Sequence, residues 1–308
     1  MDARDVSALT QRIQELEKEN ARLKEILEKN GIENESFESK TCNFNHIEAT
    51  SVSICQFTLQ EKVTIFQSVF RGRDDVFAKR WYSSTTQKSG YQPVCKREWN
   101  REFCDKRKYK CADCPNRQFA PLTYNDVFNH LAGKDVWGRD VIGLYPIRKD
   151  NTCCFLCTDF DDKSCEHGYK NDVLSFVNVC KTWNVPCYIE RSRSGNGAHA
   201  WIFFDTPITA FKARKLGNAI LTEAMNSDVH LSFKSYDRFF PNQDSLPEGG
   251  LGNLVALPLQ GMARRKGNSV FVDEDFNAYA DQWELLSQIR KLSEVELDML
   301  LRLHIEPT

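Results

Sequence analysis

The stretch CCFLCTDFD, residues 153–161, constrains the fold most, because an apolar run long enough for a buried strand ends in two aspartates. Side chains alternate faces along a strand, so Asp159 and Asp161 point to the same side. Two carboxylates that close repel each other unless a cation lies between them, and a divalent metal ion is the usual cation. The stretch therefore predicts a strand that ends at a metal site. A solvated strand end is the alternative.

The segments that follow this strand alternate in a regular order. The pattern predicts a helix near residues 172–183, a strand at PCYIER, a strand at HAWIFF, a helix from a Thr209 cap to about Met225, and a fourth strand at GNLVALPL. The order β-α-β-β-α-β is typical of the ferredoxin-like or RRM-like unit. We therefore expect an α+β fold with such a catalytic core at residues 151–280.

Other segments flank the predicted core. Residues 58–150 are predicted to form an N-terminal αβ unit with a helix at VTIFQSVF, a second helix near residues 124–131 capped by Thr123, and a strand at VIGLYPI. We expect that strand to form a hairpin with CCFLCTDFD through the turn RKDN. One C-terminal helix is predicted within residues 281–308.

The first thirty residues carry apolar side chains in steps of three and four, with Asn20 at a core position. This heptad pattern predicts a coiled coil at residues 1–30, and a single buried Asn favours a parallel dimer in fixed register. The expected partner is a second copy of the chain or another protein, and a surface helix packed on its own domain is the alternative to a coiled coil. Residues 31–57 are predicted to be a linker.

Composition excludes several classes of function. The 308 residues carry a net charge of −2, so the whole chain is not a basic nucleic-acid coat and any nucleic-acid surface must be local. The sequence has neither a signal-peptide core nor an apolar run of membrane-spanning length, so we expect a cytoplasmic protein without a membrane partner. In a reducing compartment its twelve cysteines are expected to be thiols or metal ligands, not disulfides.

Four of these cysteines, Cys95, Cys104, Cys111 and Cys114, follow the spacing C-x8-C-x6-C-x2-C. The C-x2-C half is typical of a zinc knuckle, and four thiolates suit a structural Zn²⁺ site, with free cysteines as the alternative. The same block is basic and contains aromatic residues, which suits phosphate contact and base stacking, although a solvated face has the same composition. With a second basic patch at residues 263–268, the predicted nucleic-acid-binding residues are Lys96, Arg97, Arg101, Arg264, Arg265 and Lys266.

The predicted topology also places a loop next to the two aspartates. Strands one and three are antiparallel neighbours in this unit, so the end of CCFLCTDFD lies beside the loop RSRSGNGAH. Carboxylates could hold Mg²⁺ or Mn²⁺. Backbone N–H groups of the loop could wrap phosphate oxygens, with Arg191, Arg193 and His199 adding donors. A third carboxylate is expected from Asp237, which follows an alternating stretch, in preference to Asp244.

These segments resemble a known superfamily. TDFD (158–161), SGNGAH (194–199) and SYDRFFPNQD (235–244) resemble the three motifs of archaeo-eukaryotic primases. FRGRDDVFAKRW, CADCPNR, GLYPI and GGLGNLVALPLQ are similar to the primase-polymerases of TOTE conflict systems and their CRISPR-associated relatives, over residues 60–275. The resemblance implies that Asp159, Asp161 and Asp237 are catalytic metal ligands and that His199 contacts the nucleotide phosphates. The predicted nucleotide-binding residues, from the loop and the resemblance together, are His199, Ser194, Gly197, Arg191 and Arg193.

The predicted function is that of a primase-polymerase. It would make DNA or RNA from NTPs or dNTPs on a single-stranded template by a two-metal mechanism. A non-catalytic RRM-like nucleic-acid-binding module is the alternative, because GAHAWIFF echoes an RNA-binding strand, although paired aspartates would repel phosphates. An HUH-type nickase would need a second histidine near His199, and a cyclase-type palm would not explain the cysteine block. The resemblance also implies helicase, nuclease or CRISPR partners, so with an end at Thr308 we expect a stand-alone protein or part of a longer one.

Overall fold

The computed structural model describes residues 57–161, 168–227 and 234–304, together with residues 18, 19, 21 and 22. The chain divides into two compact units, Met1–Val52 and Ser53–Thr308. In the first unit the four described residues are helical and exposed. The predicted coiled coil and linker otherwise lie outside the described residues, so the dimer stays a prediction.

The second unit begins with a mixed segment before the strand that opens the sequence argument. Its elements are α1 (Leu59–Val69), β1 (Ala78–Tyr82), β2 (Ser89–Pro93), a short 3-10 turn (Cys111–Asp113), α2 (Tyr124–Ala132) and β3 (Ile142–Leu144). Both helices begin at capping boxes, in which Thr58 pairs with Glu61 and Thr123 pairs with Asp126. These boxes satisfy backbone N–H groups that a helix start leaves unpaired, and Thr123 is the predicted cap.

The remaining elements contain the predicted βαββαβ order. They are β4 (Thr152–Asp161), α3 (Gly168–Thr182), β5 (Tyr188–Arg191), β6 (Gly197–Thr209), α4 (Ala210–Ser227), β7 (Tyr236–Phe240), β8 (Val255–Ala256), α5 (Gly261–Arg265), β9 (Val270–Val272), α6 (Gln282–Ser287) and α7 (Glu294–His304). Lys212 N–H donates to the Thr209 hydroxyl, so the expected cap before α4 is present.

The strands form two antiparallel sheets. One sheet has the order β2-β1-β3-β8 and the other has the order β7-β4-β6-β5-β9. In the second sheet the first four strands follow the ferredoxin-like arrangement, with the first and third strands of the unit, β4 and β6, side by side at its centre. The fold is therefore a mixed α+β fold with a ferredoxin-like sheet, and β9 extends that sheet beyond β5.

Two predicted features of the strands are wrong. The fourth strand of the unit is Tyr236–Phe240, whereas GNLVALPL contributes only Val255–Ala256 to the other sheet, since Pro258 lacks an N–H for a longer ladder. The expected hairpin does not form, because Ile142–Leu144 pairs with β1 and β8 instead of β4. A buried apolar run such as this does not reveal its partner.

The C-terminal segment forms two helices where one was predicted, α6 and α7. A new helix begins after Ser293, whose hydroxyl accepts a hydrogen bond from Glu296 N–H while the Glu296 carboxylate accepts from Ser293 N–H. This reciprocal capping is a strong helix start signal. Among the described residues, no helix is both long and apolar enough to cross a membrane.

The five-stranded sheet is packed on both faces, which fixes the strand ends that carry the site. Helices α3 and α4 pack on one face. On the other face, Phe70 at the end of α1 contacts Trp201 and Phe203 of β6 edge-on, and both side chains are fully buried. A base-stacking strand would expose these aromatic rings. The buried rings therefore do not fit the RRM-like reading of GAHAWIFF.

Candidate active site

Three carboxylates meet at the end of β4. Asp159 and Asp161 lie on β4, Asp237 lies on β7, and one oxygen from each lies within 4.8 Å of the others. The register of β4 against β6 places Asp159 opposite His199 and Asp161 opposite Gly197. The sequence pattern predicted this juxtaposition of the aspartates with the loop, and the described structure brings these residues together.

Asp237 reaches the cluster through an irregularity in β7. Asp159 pairs with Arg238 and Phe160 pairs with Tyr236, so Asp237 is an extra residue in the ladder, a β-bulge. In a regular ladder without the bulge, Asp237 would pair with Phe160, and its side chain would point to the opposite face of the sheet from Asp159. The bulge turns the side chain toward the two β4 aspartates, a common use of bulges beside functional sites.

A buried hydrogen-bond network fixes the start of β7. Asp172 on α3 is buried and accepts hydrogen bonds from the hydroxyl and N–H of Ser235, at 2.5 and 3.3 Å. The carbonyl of Ser235 accepts from the N–H of Asp161 at 2.8 Å. The same residue thus joins α3 to the end of β4 and leads directly into the bulge, so the relative positions of the three carboxylates are set by the fold.

Two carboxylates flank the imidazole of His199. Its Nδ1 lies 2.7 Å from Glu190 Oε2 and its Nε2 lies 3.3 Å from Asp159 Oδ1. Burial alone would lower the pKa of His199, but the charges and hydrogen bonds of Glu190 and Asp159 outweigh it and raise that pKa to about 10. The imidazole is therefore held as a cation beside the aspartate cluster, where it can donate a hydrogen bond to an anionic group.

Glu190 is a site residue that the sequence argument missed. It is 1% exposed and accepts hydrogen bonds from His199 and from Trp201 Nε1, the latter at 3.1 Å. The signal was present, because counting outward from the SRSGNG loop along PCYIER and GAHAWIFF places Glu190 opposite His199. Cross-strand neighbours in such a pair lie close enough for direct contact. The hairpin register therefore identifies His199 as the partner of the buried Glu190.

Gly197 is small for a steric reason. A Cβ at this position would lie 2.6 Å from the carbonyl oxygen of Phe160 and 3.1 Å from Asp161 Oδ1. The close approach of β6 to β4 at their ends therefore requires glycine. The neighbouring Gly195 has φ +86°, a conformation that side chains rarely adopt.

The glycine-containing loop forms a tight hairpin turn. The N–H groups of Ser192, Gly195 and Asn196 donate to Gly197 O, Ser192 O and Ser194 Oγ. The predicted wrapping of phosphate oxygens cannot use those three donors without breaking the turn. Ser194 lies at the exposed tip of the loop.

The two predicted arginines of the loop have different surroundings. Arg191 donates to the carbonyls of Gly267 and Phe276, at 2.7 and 2.5 Å, and so ties the segment around β9 to the sheet. Arg193 is exposed, and its positive charge lowers the pKa of Tyr91 on β2, which burial otherwise raises. Arg193 is therefore the better placed of the two for a ligand, and both roles in nucleotide binding stay predictions.

Some of the predicted nucleic-acid-binding residues contact other parts of the protein, and others are simply exposed. Arg265 donates to the carbonyls of Ala132 and Gly133 at the end of α2, and Arg97 donates to Asn116 O while its guanidinium lies over the ring of Phe103. Arg264 is half-buried. The others are exposed, and they are Lys96, Arg101 and Lys266.

The four cysteines of the block line one small cavity together with Glu98 and Lys106. The N–H of Gln118 donates to Cys95 Sγ at 3.4 Å, and Cys95 bridges to Phe119. Among the described residues, the ligand atoms of the three aspartates lie within 4.8 Å of one another. No three of the four cysteine sulfurs lie that close together. The zinc site therefore stays a prediction. Asp244 pairs with Arg214 and is not part of the aspartate cluster.

The class of protein follows from a comparison with known protein families. A family described as "TOTE conflict system, Archaeo-Eukaryotic Primase domain" matches residues 61–300, which is well over half of the chain. The chain belongs to this family of archaeo-eukaryotic primase domains.

The other comparisons add less. None of the curated proteins matches the chain. Among solved structures, the polymerase domain of Mycobacterium tuberculosis ligase D in complex with DNA is similar, with 13% sequence identity over 79% of this chain and 86% of that chain. The TM-score of 0.40 is too low for that likeness to bear on the site.

Proposed function

We propose that the protein is a metal-dependent nucleotidyltransferase, a primase-polymerase that joins nucleotides on a single-stranded DNA or RNA template. The observation that carries the proposal is the meeting of Asp159, Asp161 and Asp237 within 4.8 Å, directly beside His199. Family membership supports the general class of reaction. The template, the nucleotide type and the two-metal mechanism belong to the proposal.

The donor set fits a hard divalent cation. All three groups offer carboxylate oxygens, which Mg²⁺ and Mn²⁺ prefer. Three negative charges at one strand end also need a positive charge to offset their repulsion, and Arg238 pairs with Asp237 at the edge of the cluster. Bound Mg²⁺ or Mn²⁺, in a two-metal arrangement, would activate the primer 3′-OH and stabilise the leaving pyrophosphate.

The chain's own side chains would then position the nucleotide. His199, oriented by Glu190 through Nδ1, presents Nε2 toward the cluster, where it can donate to a phosphate oxygen of an incoming NTP or dNTP. Gly197 leaves room at the point where a side chain would collide with β4. Ser194 and Arg193 are exposed at the loop tip, so both are open to contact by a triphosphate.

The test is synthesis on single-stranded DNA and RNA templates, with and without a primer, in Mg²⁺ or Mn²⁺ and with separate NTP and dNTP mixes. The Asp159→Ala, Asp161→Ala double variant should lose at least about a thousandfold in rate, because metal-stabilised charge supplies several kcal/mol of the catalysis. The matched control is the Glu294→Ala, Asp298→Ala double variant, which removes two carboxylates that pair with Lys212 on α4. Product in wild type and control but not in the site variant supports the proposal. Absence of product in wild type, with template binding intact, favours a non-catalytic nucleic-acid-binding module.

We also propose that Cys95, Cys104, Cys111 and Cys114 bind one structural Zn²⁺. Supporting observations are their shared cavity and the N–H to sulfur hydrogen bond at Cys95, which is geometry that a thiolate ligand uses. Metal analysis should find about one Zn²⁺ per chain. It should find almost none in a Cys111→Ser, Cys114→Ser variant, whereas Cys187→Ser should keep the wild-type content. Zinc-free wild-type protein would refute the site.

The dimer through residues 1–30 is proposed from the heptad pattern alone. Deletion of these residues should halve the mass measured in solution by light scattering. A mass that does not change on deletion would refute this oligomer.

A further inference from the structure

An aromatic and basic surface lies on the first sheet, outside the residues predicted to bind nucleic acid. Arg80 and Tyr82 alternate along β1 and therefore share one face, and the register places Tyr91 of β2 directly opposite Arg80. Trp137, from the turn before β3, stacks on Tyr82 with ring centroids 4.8 Å apart and planes inclined by 11°. We call this set, with Arg193, the β1–β2 face.

The tryptophan of this face is held in place but not covered. Arg80 donates from Nη1 to the carbonyl oxygen of Trp137 at 2.5 Å, and its guanidinium lies 5.9 Å from the centre of the Tyr82 ring. Trp137 nevertheless stays 46% exposed. An indole ring fixed by a neighbouring ring and still open to solvent can stack on a further planar group without losing much side-chain entropy.

The charges of two guanidinium groups act on each other at this face. Burial lowers the pKa of Arg80, and the positive charge of Arg193 lowers that pKa further. Burial raises the pKa of the Tyr91 hydroxyl, and the positive charge of Arg193 acts against that rise. The carboxylate that acts on Arg80, Asp135, itself pairs with Arg139 at 2.8 Å. The Asp135 carboxylate is therefore already engaged by Arg139, and positive charge of this kind beside exposed aromatic rings favours an anionic ligand.

The face adjoins the candidate active site. Arg193 belongs to the turn between β5 and β6 that leads to Gly197 and His199. The charge of Glu190, which holds His199, acts on Tyr91. A strand that passes over Arg193 and Tyr91 is therefore next to the group proposed to contact the nucleotide.

We propose that the β1–β2 face binds single-stranded nucleic acid, with a base stacked on Trp137 and phosphates held by Arg80 and Arg193. Stacking on an exposed ring combined with guanidinium contacts to the backbone is how proteins bind single strands without sequence preference. The identification of this strand as the template rests on the proposed polymerase function, whereas the binding itself does not.

The cysteine block is the competing surface. Its most exposed ring, Trp99, is 74% exposed, but the ammonium of Lys106 lies 4.0 Å from the centre of that ring. Lys106 also pairs with Glu98 at 2.6 Å. The ammonium of Lys106 therefore lies over the ring of Trp99, and its ion pair with Glu98 holds it there. A base stacking on that side of Trp99 would have to displace it, so the β1–β2 face is the better surface for base stacking.

The experiment measures the anisotropy of short labelled single-stranded DNA and RNA oligonucleotides with the full chain and three tryptophan variants. Trp137→Ala should weaken binding about tenfold, because base–aromatic stacking contributes ~1–3 kcal/mol per base. Trp137→Phe keeps a ring and should retain most of the affinity. Trp99→Ala, the matched exposed tryptophan, should bind as wild type. Arg193→Gln should lower the slope of log K against log salt by about one phosphate contact.

The binding data for the variants can overturn the proposed role of the β1–β2 face. Wild-type affinity in Trp137→Ala, or a loss in Trp99→Ala alone, would overturn the proposal. If Trp137→Ala melts below the assay temperature, Arg193→Gln decides instead, because its side chain is exposed and an unchanged salt slope would refute the contact. Synthesis assays on the same variants separate the two proposals. Trp137-dependent binding without any synthesis would leave the surface standing and remove the polymerase function. Weakened binding with normal synthesis in Trp137→Ala would leave both the surface and the polymerase function standing, and would refute the identification of the bound strand as the template.

Discussion

His130 is buried against one sheet and His199 is half-buried on a strand of the other, and their surroundings give them opposite properties. His130 on α2 accepts a hydrogen bond from Ile142 N–H at Nδ1 and lies 2.8 Å from Pro258 O through Nε2, so the neutral ring satisfies both contacts. His199 on β6 lies between two carboxylates instead. Burial lowers the pKa of His130 to about 4, whereas Glu190 and Asp159 outweigh burial and raise the pKa of His199 to about 10.

The comparison teaches that the partners of a buried histidine decide its role, and that burial alone does not. His130 links α2, β3 and the segment after β8, where a neutral ring serves as a hydrogen-bond bridge. His199 brings a positive charge to a strand end that already carries three carboxylates. The first arrangement stabilises a fold, and the second creates a field that suits an anionic ligand with its metal.

The largest effect is expected for Asp237, the residue that completes the charged surroundings of His199. Asp237→Asn should lower the rate of nucleotide incorporation about a thousandfold, because it removes one of three carboxylates proposed to hold the metal. The matched control is Asp244→Asn, since that carboxylate pairs with Arg214 away from the cluster and was the less favoured candidate in the sequence. Primer-extension rates measure both. Equal losses in the two variants would contradict the assignment of Asp237.

Exchanging each histidine for glutamine tests the comparison itself. His199→Gln should reduce kcat/KM for the nucleotide about a hundredfold, the loss expected for one charge-assisted hydrogen bond of ~2–3 kcal/mol. His130→Gln should instead lower the free energy of unfolding and leave the activity of the folded fraction unchanged. Steady-state kinetics and urea unfolding separate the two effects. A loss of specific activity in folded His130→Gln would break the proposed division of roles.

Much of the site could be predicted from the sequence because strand register follows local rules. Once CCFLCTDFD and GAHAWIFF are read as antiparallel neighbours, alternation places Asp159 and Asp161 beside Gly197 and His199. Glycine at 197 also has a local cause, the close approach of two strand ends. These features depend on a few adjacent residues, so the sequence pattern contains them.

The rest depended on long-range packing that no local pattern records. The bulge that turns Asp237 toward β4 arises from how β7 meets β4, and the preference for Asp237 in the sequence argument rested on alternation that the bulge interrupts. The identity of the fourth strand also depended on long-range pairing. YDRFF pairs with β4 and completes the unit, whereas NLVALPL pairs with β3 in the other sheet. The β1–β2 face needed the turn with Trp137 to reach Tyr82, a contact between residues far apart in the chain.

A pH titration of stability sharpens the comparison further. The unfolded chain protonates His130 near its usual pKa of 6.5, but the folded chain does so only near 4, so stability should fall as pH drops through this window. The expected loss between pH 6.5 and pH 5 is about 2 kcal/mol, and the His130→Gln variant should lack it. His199 has its window above pH 6.5, because its folded pKa is raised and its stabilisation is lost as pH rises toward 10. Urea unfolding at several pH values measures the slope, and the same slope in His130→Gln would contradict the interpretation.

The smallest expected effect concerns Glu190. This carboxylate is the clearest difference between the surroundings of the two histidines, because the ring nitrogens of His130 contact only backbone groups. Glu190→Gln keeps the size of the side chain but removes the charge that holds His199 at Nδ1. We expect KM for the nucleotide to rise about tenfold with a smaller change in kcat, as is typical when a group that orients a functional histidine is altered. Glu223→Gln, on the outer side of α4, is the matched control and should behave as wild type.

A second variant distinguishes positioning by Glu190 from a purely structural role. Glu190→Asp retains the charge but is one methylene shorter, so it should recover part of the nucleotide affinity that Glu190→Gln loses even though it packs less well against Trp201. Nucleotide KM and melting temperature are measured for both variants. If the melting temperature falls in both while KM stays at the wild-type value, Glu190 serves only the core, and the charged environment of His199 would then owe its effect to Asp159 alone.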